Sequence, residues 1–199
     1  MRSGIIRILT TLTVIAACGW PIWQGFGLVR YAMAESTREA VRPWIAVPGI
    51  SFSAREYALT PVDFDDEKAI RKRRDEIAGI LTVRPLSSFY WLQLAEARMG
   101  THETPAKTFD ALELSAVTGP NEGYMITQRG LFGIWKWEAL TSDGQNRAIQ
   151  DLMATPISDG KLAWLKTTIA SKTEPVRQDI RLALQAAGFS TGNLARIGF

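Results

Sequence analysis

The chain has 199 residues, of which 46% are hydrophobic and 22% charged, and its formal net charge at pH 7 is +3. This length leaves room for one domain beside a targeting segment. The weak net charge and the lack of a recognisable nucleic-acid motif exclude nucleic acid as an expected partner. The single cysteine, Cys18, excludes an intramolecular disulfide.

The first 29 residues are typical of a membrane-targeting segment. Arg2 and Arg7 precede an uncharged apolar run that extends from Ile8 to about Trp23. If it continues by a few residues, this run is close to the length that a helix needs to cross a bilayer. We interpret residues 1–29 as an uncleaved signal anchor that forms one transmembrane helix.

Two other interpretations of this segment stay open. The Ala-Met-Ala sequence at 32–34 has the pattern of a signal-peptidase site, which would make the segment a cleaved signal peptide. The sequence at 15–18 resembles a lipobox, in which Cys18 would be acylated and the protein would be a lipoprotein.

Positive charges do not decide the orientation of this segment, because Arg30, Arg38 and Arg42 follow it on the other side. A very short N-terminal tail usually stays in the cytoplasm. We therefore expect a single-pass protein of a bacterial inner membrane with its domain in the periplasm. Residues 30–61 would form a juxtamembrane helix and an irregular linker, in which proline, glycine and serine recur.

Residues 62–199 are predicted to fold as an all-α domain, since apolar residues recur at helical spacing and no amphipathic strand pattern occurs. The first helix follows a run of acidic residues that ends at Glu67, which suits the positive end of the helix dipole. Its buried face is predicted to consist of Ile70, Ile77, Ile80 and Leu81.

The domain is expected to be organised around helical hairpins between Pro85 and Leu140. Ser87 or Ser88 would cap the next helix, and Gly100 would take the left-handed conformation at its end. The predicted apolar stripe of this helix is Phe89, Leu92, Ala95 and Met99.

Its partner helix has clear start and stop signals. Thr104 is the expected cap, and Pro105 stands at the first helical position, where its missing N–H costs nothing. Gly119-Pro120 would end the helix. The predicted apolar stripe is Phe109, Leu112 and Ala116.

This pair of helices resembles a degenerate tetratricopeptide repeat. The matching positions are Phe89 (early aromatic), Leu92 (leucine), Gly100 (turn glycine) and Phe109 (aromatic of the second helix). Gln93 and Pro105 depart from the pattern, in which small residues are expected, and Pro120 comes late for the closing proline. The resemblance covers about one repeat, with residues 121–154 as a weaker second. It implies a hairpin array that binds a partner, similar to membrane-anchored accessory proteins of bacterial envelope polysaccharide assembly.

The segment from Glu122 to Leu140 is apolar around most of its circumference, which is typical of a buried helix. The apolar residues are Leu131, Phe132, Ile134, Trp135 and Trp137. Gly130 and Gly133 would let a neighbouring helix approach closely. We therefore expect a central helix here, with Trp135 buried.

The last third of the chain predicts three short helices and a tail. Turns are expected at residues 142–144 and 158–160, and Thr173 and Gly188 would cap the two ends of the last helix. Residues 190–199 are predicted to be a short polar tail without periodicity.

The sequence predicts no catalytic, cofactor-binding or metal-binding set of residues. The only histidine, His102, lies in an expected turn without a second histidine or a cysteine near it in the sequence. We therefore expect a protein that is not an enzyme and that needs neither a cofactor nor a metal ion.

A carbohydrate-binding or carbohydrate-active envelope protein is the alternative. Glycoside chemistry needs two carboxylates close together, and tryptophan rings could serve as sugar platforms. The candidates are Glu96, Glu113, Glu122 and Glu138, with Trp91, Trp135, Trp137 and Trp164. The helical spacing of these tryptophans fits a core better, so the scaffold interpretation is preferred.

Four polar residues form the candidate partner groove at the mouth between the hairpins: Glu122, Tyr124, Gln128 and Arg129. Arg129 is expected to pair with Glu122 at the centre of the domain. The function expected from the sequence is a membrane-anchored helical scaffold. It would bind an unidentified envelope protein, in polysaccharide assembly or export.

Overall fold

The structure, a computed structural model, describes residues 66–199 together with Arg55, Glu56 and Leu59. The chain divides into two compact units, Met1–Thr60 and Pro61–Phe199, and the helices named below all belong to the second. The predicted signal anchor, the juxtamembrane helix and almost all of the linker lie outside the described residues. Among those that are described, no helix is both long and apolar enough to cross a membrane.

The described part of the second unit is all-helical, as predicted, and residues 66–199 contain no strand. Its eight α-helices, with one 3₁₀ helix between α4 and α5, are α1 Glu67–Leu81, α2 Ser88–Gly100, α3 Pro105–Thr118, α4 Gly123–Trp135, the 3₁₀ helix Trp137–Ala139, α5 Ser142–Met153, α6 Asp159–Ala170, α7 Glu174–Ala186 and α8 Thr191–Arg196.

Among consecutive helices, the pairs α1–α2, α2–α3 and α4–α5 pack against each other most closely. In the α2–α3 hairpin, the hydroxyl of Ser115 donates to the Ser88 carbonyl at one end, and Arg98 donates to the Lys107 carbonyl at the other. The α4–α5 pair is antiparallel too, and α4 also contacts α2 and α6. This position among three helices agrees with the central role predicted for the segment.

Two glycines set the distance between α4 and α5, as the sequence suggested. A methyl group on Gly130 would lie 2.7 Å from the backbone nitrogen of Leu152, and one on Gly133 would overlap the Cβ of Ala148. Any side chain at these positions would therefore force the two helices apart.

Several predicted helix ends are confirmed. Asp66 caps α1 and accepts from the Lys68 amide, and the Ser87 side chain caps α2. Pro105 occupies the first turn of α3 as predicted, and Thr104 stands at the N-cap position but makes no capping hydrogen bond with its side chain. The first backbone N–H groups of a helix have no partner within the helix. Capping side chains accept hydrogen bonds from them, and a proline in the first turn has no N–H that needs a partner.

The glycine signals were interpreted correctly at one helix end and wrongly at the other. Gly188, after α7, has a φ of +84° and ends that helix as predicted. Gly100 does not take a left-handed conformation; His102 does, with a φ of +54°. Gly100 instead packs closely on α1, because a methyl group there would lie 3.0 Å from the Cγ2 of Ile70 and would require that side chain to shift.

Both turns predicted in the last third are wrong. Residues 142–144 form the first turn of α5, because the Thr141 hydroxyl accepts from the Gly144 amide and starts the helix earlier. Ser158 caps α6 in the same way by accepting from the Lys161 amide. The Ser-Asp-Gly sequences are thus helix starts, where short polar side chains serve as caps.

The main core lies in the C-terminal half of the unit. Its buried members are Ile134, Trp137, Ile149, Leu152, Leu162, Leu165, Ile169, Ile180, Leu184, Phe189, Leu194 and Ile197. The prediction of a polar tail is therefore wrong for residues 190–199, which form α8 and place Leu194 and Ile197 in this core.

Candidate functional site

A cavity of about 180 Å³ opens between α2, α4 and α6. We call it the aromatic groove, and it is lined by Leu92, Glu96, Gln128, Leu131, Phe132, Trp135 and Trp164. Most of these side chains are apolar, and two polar ones, Glu96 and Gln128, are set among them. This composition is typical of ligand sites, in which an apolar surface supplies contact area and a few polar groups fix orientation.

Two tryptophans line the groove from different helices and stay partly accessible. Trp135 is 39% exposed and Trp164 is 36% exposed. The prediction that Trp135 is buried is therefore wrong. The reason is the end of α4: the helix stops at Trp135, and after the bend it is Trp137 that enters the core and donates its indole N–H to Asp179 at 2.6 Å.

Neighbouring side chains hold the Trp135 ring in place. The Lys136 ammonium lies 3.6 Å from its ring centroid, within range of a cation–π interaction. Phe132 meets it edge-on, with 6.4 Å between the ring centroids. Lys172 donates to the Trp135 carbonyl at 2.7 Å, which fixes the end of the helix as well.

The carboxylate of Glu96 is a charged group without direct compensation. Among the described residues, no hydrogen bond or salt bridge reaches it. Burial raises the pKa of Glu96, while the charges of Lys136 and Arg73 oppose that rise. Burial also lowers the pKa of Lys136. Within the described part of the chain, the groove therefore holds a carboxylate acceptor that receives no hydrogen bond.

The four residues of the predicted partner groove do not converge. Gln128 lines the aromatic groove, whereas Tyr124 is exposed at the start of α4. Glu122 accepts a hydrogen bond from the Ser88 hydroxyl at 2.6 Å. Arg129 is buried on the face of α4 that packs against α5.

The expected Arg129–Glu122 pair is wrong, because a carboxylate on α5 lies directly opposite Arg129. The guanidinium donates to Asp151 at 2.8 Å through Nε and also to the Ser115 carbonyl at 3.1 Å. Both charged side chains are almost fully buried. This ion pair joins α3, α4 and α5, and its role is structural. Sequence reasoning missed Asp151, since nothing in its spacing signals a partner 22 residues away.

The four candidate carboxylates are dispersed, and only Glu96 lines the groove. Glu113 pairs with Arg147 at 2.8 Å, and Glu138 pairs with Lys172 at 2.7 Å. In residues 66–199, no group of three or more His, Cys, Asp and Glu side chains could hold a metal ion. Of the four candidate carboxylates, the aromatic groove thus contains one, Glu96, and not a pair.

A second surface surrounds Ser88, where the start of α2, the end of α3 and the start of α4 meet. Four exposed apolar or aromatic residues lie within a few positions of this junction. We call them the hairpin-end surface: Leu86, Phe89, Val117 and Tyr124. Sequence reasoning assigned Phe89 to the core, but Tyr90 takes the buried position on α2.

Comparisons with known proteins identify no relative. No protein-family model matches the chain, no curated protein does, and no solved structure does.

Proposed function

We propose that this protein is a membrane-anchored helical scaffold, without enzymatic activity, that binds a partner protein at the bacterial envelope. The hairpin-end surface is the observation that supports it. Leu86 is 78% exposed, Val117 70% and Tyr124 69%. Large apolar side chains grouped on a surface mark interaction sites more often than isolated ones do.

The backbone beneath this surface is tied together. Ser88 donates from its hydroxyl to Glu122 and accepts at its carbonyl from Ser115, and Gly119 lies against its Cβ. These contacts connect three helix ends. A surface held in one conformation loses little conformational entropy on binding, which favours affinity.

The finer parts of the proposal rest on the sequence. The tetratricopeptide-like pattern of the α2–α3 hairpin supports a repeat-type scaffold, and the apolar run in residues 1–29 supports an inner-membrane anchor with a periplasmic domain. The proposed setting in polysaccharide assembly or export rests on resemblance alone.

Site-specific photo-crosslinking in native membranes tests the partner-binding role. A benzoylphenylalanine in place of Tyr124 or Val117 is expected to capture the same single protein. Leu182, an exposed leucine on α7, is the control position and should not capture it. Val117→Asp should abolish the crosslink from position 124. Identical products from positions 124 and 182, or none from either test position, would contradict the proposal.

Carbonate extraction tests the anchor. The full-length protein should stay with the membrane pellet in carbonate and in high salt, with Met1 or Arg2 at its amino terminus. A mature form that begins at Glu35, or at an acylated Cys18, would replace the signal anchor by one of the two alternatives.

A further inference from the structure

We propose that the aromatic groove binds one neutral pyranose ring of a saccharide, with the ring against Trp135 and Trp164 and its hydroxyls on Glu96 and Gln128. This inference does not depend on the scaffold role, because the groove shares no residue with the hairpin-end surface. A ligand site in the aromatic groove and a protein-docking site on the hairpin-end surface would be separate features of one domain.

The aromatic lining favours a ligand with a flat apolar face. Trp135 and Trp164 approach the groove from α4 and α6 and retain more than a third of their accessible surface. Indole rings left partly accessible in a cavity offer a large contact area with little conformational freedom to lose. The C–H face of a pyranose ring matches such a surface.

The polar lining favours a ligand that carries hydroxyl groups. The carboxylate of Glu96 accepts only, and the amide of Gln128 both donates and accepts. Among the described residues, neither side chain has a hydrogen-bond partner. Sugar hydroxyls would supply donors to Glu96 and complementary groups to Gln128, and a hydrogen bond to an ionised acceptor is among the stronger ones.

The surrounding charges favour a neutral ligand. An anionic ligand would meet the carboxylate of Glu96 inside the groove. A cationic ligand would be repelled by Lys136, whose ammonium lies on the Trp135 ring, and by Arg73, because both charges already act on Glu96. A neutral hydroxylated ring avoids both repulsions.

The size of the cavity limits the ligand to one ring. A volume of about 180 Å³ is smaller than the roughly 300–1,000 Å³ of sites that enclose a drug-sized molecule. One hexose fits this space, and further rings of an oligosaccharide would extend into solvent. At ordinary ligand efficiency, a ligand of this size binds with a dissociation constant on the order of 1 mM.

Fluorine NMR of the full-length chain in detergent tests this site. The chain has seven tryptophans, and incorporation of 5-fluorotryptophan gives each a separate signal, with Trp135 and Trp164 assigned through Trp→Phe variants. The probes are maltotetraose, cellotetraose and chitotetraose. Glucuronic acid and N-acetylarginine amide are the anionic and cationic comparisons.

We expect at least one neutral tetrasaccharide to shift both groove signals saturably, with little change in the other five tryptophans. Glu96→Gln keeps the side-chain shape but removes the charged acceptor, so it should weaken binding about tenfold. Asp110→Asn, at an exposed carboxylate on α3, should leave binding unchanged.

Three outcomes would overturn the proposal. The first is that no neutral saccharide moves either groove signal at about ten times the expected dissociation constant. The second is saturation by N-acetylarginine amide alone, which would make the groove a site for a cationic side chain. The third is equal affinity in the wild type and in Glu96→Gln, which would remove Glu96 from the site.

Discussion

The guanidinium of Arg129 and the carboxylate of Asp151 form a buried bidentate pair between α4 and α5. A second Arg–carboxylate pair, Arg147–Glu113, joins α5 to α3 with nearly the same Nε–oxygen distance, 2.8 Å, but is partly exposed. The two pairs therefore differ mainly in burial. Removing one partner should lower the free energy of unfolding far more for the buried pair, because the remaining charge stays in the protein interior.

Arg129→Ala is accordingly expected to lower the free energy of unfolding by about 3–5 kcal/mol. Arg147→Ala should cost about 1 kcal/mol or less, since solvent screens its partner. Urea unfolding of the fragment of residues 61–199 measures both. Because the destabilisation comes from an unpaired charge, the double variant Arg129→Met/Asp151→Leu should recover much of the loss. Equal losses in the two single variants would show that Arg129 is solvated.

Glu96 and Glu113 are expected to respond to pH with opposite signs. Burial raises the pKa of Glu96 in the folded protein above its value in the unfolded protein. The contribution of Glu96 to stability is therefore present at a pH below the unfolded-state pKa, and it is lost as the pH rises through the folded-state pKa. A hydrogen bond from Arg147 lowers the pKa of Glu113. The stabilisation from Glu113 is therefore present above its unfolded pKa and is lost as the pH falls through its folded pKa.

The matched substitutions Glu96→Gln and Glu113→Gln separate these effects. At about pH 8, Glu96→Gln should increase the free energy of unfolding and Glu113→Gln should decrease it. Both differences should shrink toward about pH 3, where the carboxyls of the wild type become protonated. Denaturant titrations at a series of pH values give the two curves. A destabilising Glu96→Gln in the alkaline range would mean that the carboxylate has a partner that compensates for its burial.

At the scale of the helix, the contact between α4 and α5 depends on glycine. Gly130 and Gly133 lie against the backbone of Leu152 and the Cβ of Ala148. A methyl group on Gly160, in the first turn of α6, would instead have no neighbouring atom within 4 Å. Helix propensity alone favours alanine over glycine by about 1 kcal/mol. Packing therefore decides whether a Gly→Ala substitution at each position stabilises or destabilises the protein.

We expect Gly133→Ala to destabilise the fragment of residues 61–199 by about 1–3 kcal/mol, the usual cost of overpacking. Gly160→Ala should be neutral or stabilising by up to about 1 kcal/mol. Thermal unfolding followed by circular dichroism distinguishes the two. If Gly133→Ala were also stabilising, α4 and α5 would be farther apart than the structure shows.

Sequence patterns predict some of these helices better than others. On α1 the four large aliphatic residues share one face, and Ile70, Ile77, Ile80 and Leu81 are all buried as expected. On α2 eight of the thirteen residues are apolar or aromatic, so spacing alone does not select a face. Tyr90 and Leu94 are buried there, and Phe89 is exposed. Periodicity identifies a buried face only where polar residues mark the opposite one.

The candidate site was only partly predictable for a related reason. The sequence grouped Glu96, Trp135 and Trp164 with five other residues as carbohydrate candidates, and it placed Gln128 in the partner groove instead. Their convergence in one cavity depends on the packing of α2, α4 and α6 and on the end of α4 at Trp135. Both are tertiary features, and a local pattern does not encode which helices become neighbours.

At the scale of the whole molecule, α4 links the two candidate surfaces. Tyr124 at its start belongs to the hairpin-end surface, and Trp135 at its end lines the aromatic groove. The length of α-helix between them corresponds to a separation of about 16 Å. The buried contacts of α4 with α5 therefore hold both surfaces in a fixed relation within the second unit.

The C-terminal core stabilises this arrangement, and α8 completes it. Leu194 is buried in that core, whereas Leu182 on α7 is largely exposed. Leu194→Ala should therefore lower the free energy of unfolding by about 2–5 kcal/mol, from the lost transfer free energy and the cavity that remains. Leu182→Ala should change it by less than about 0.5 kcal/mol.

Urea unfolding of the fragment of residues 61–199, followed by tryptophan fluorescence and by circular dichroism, measures this pair. The two probes should give coincident transitions if the unit unfolds cooperatively. Leu194→Ala should move the midpoint of both transitions together, because the core that contains Leu194 also contains Trp137 and Ile134, next to the end of α4. If Leu194→Ala behaved like Leu182→Ala, residues 190–199 would be the short polar tail that their sequence predicts.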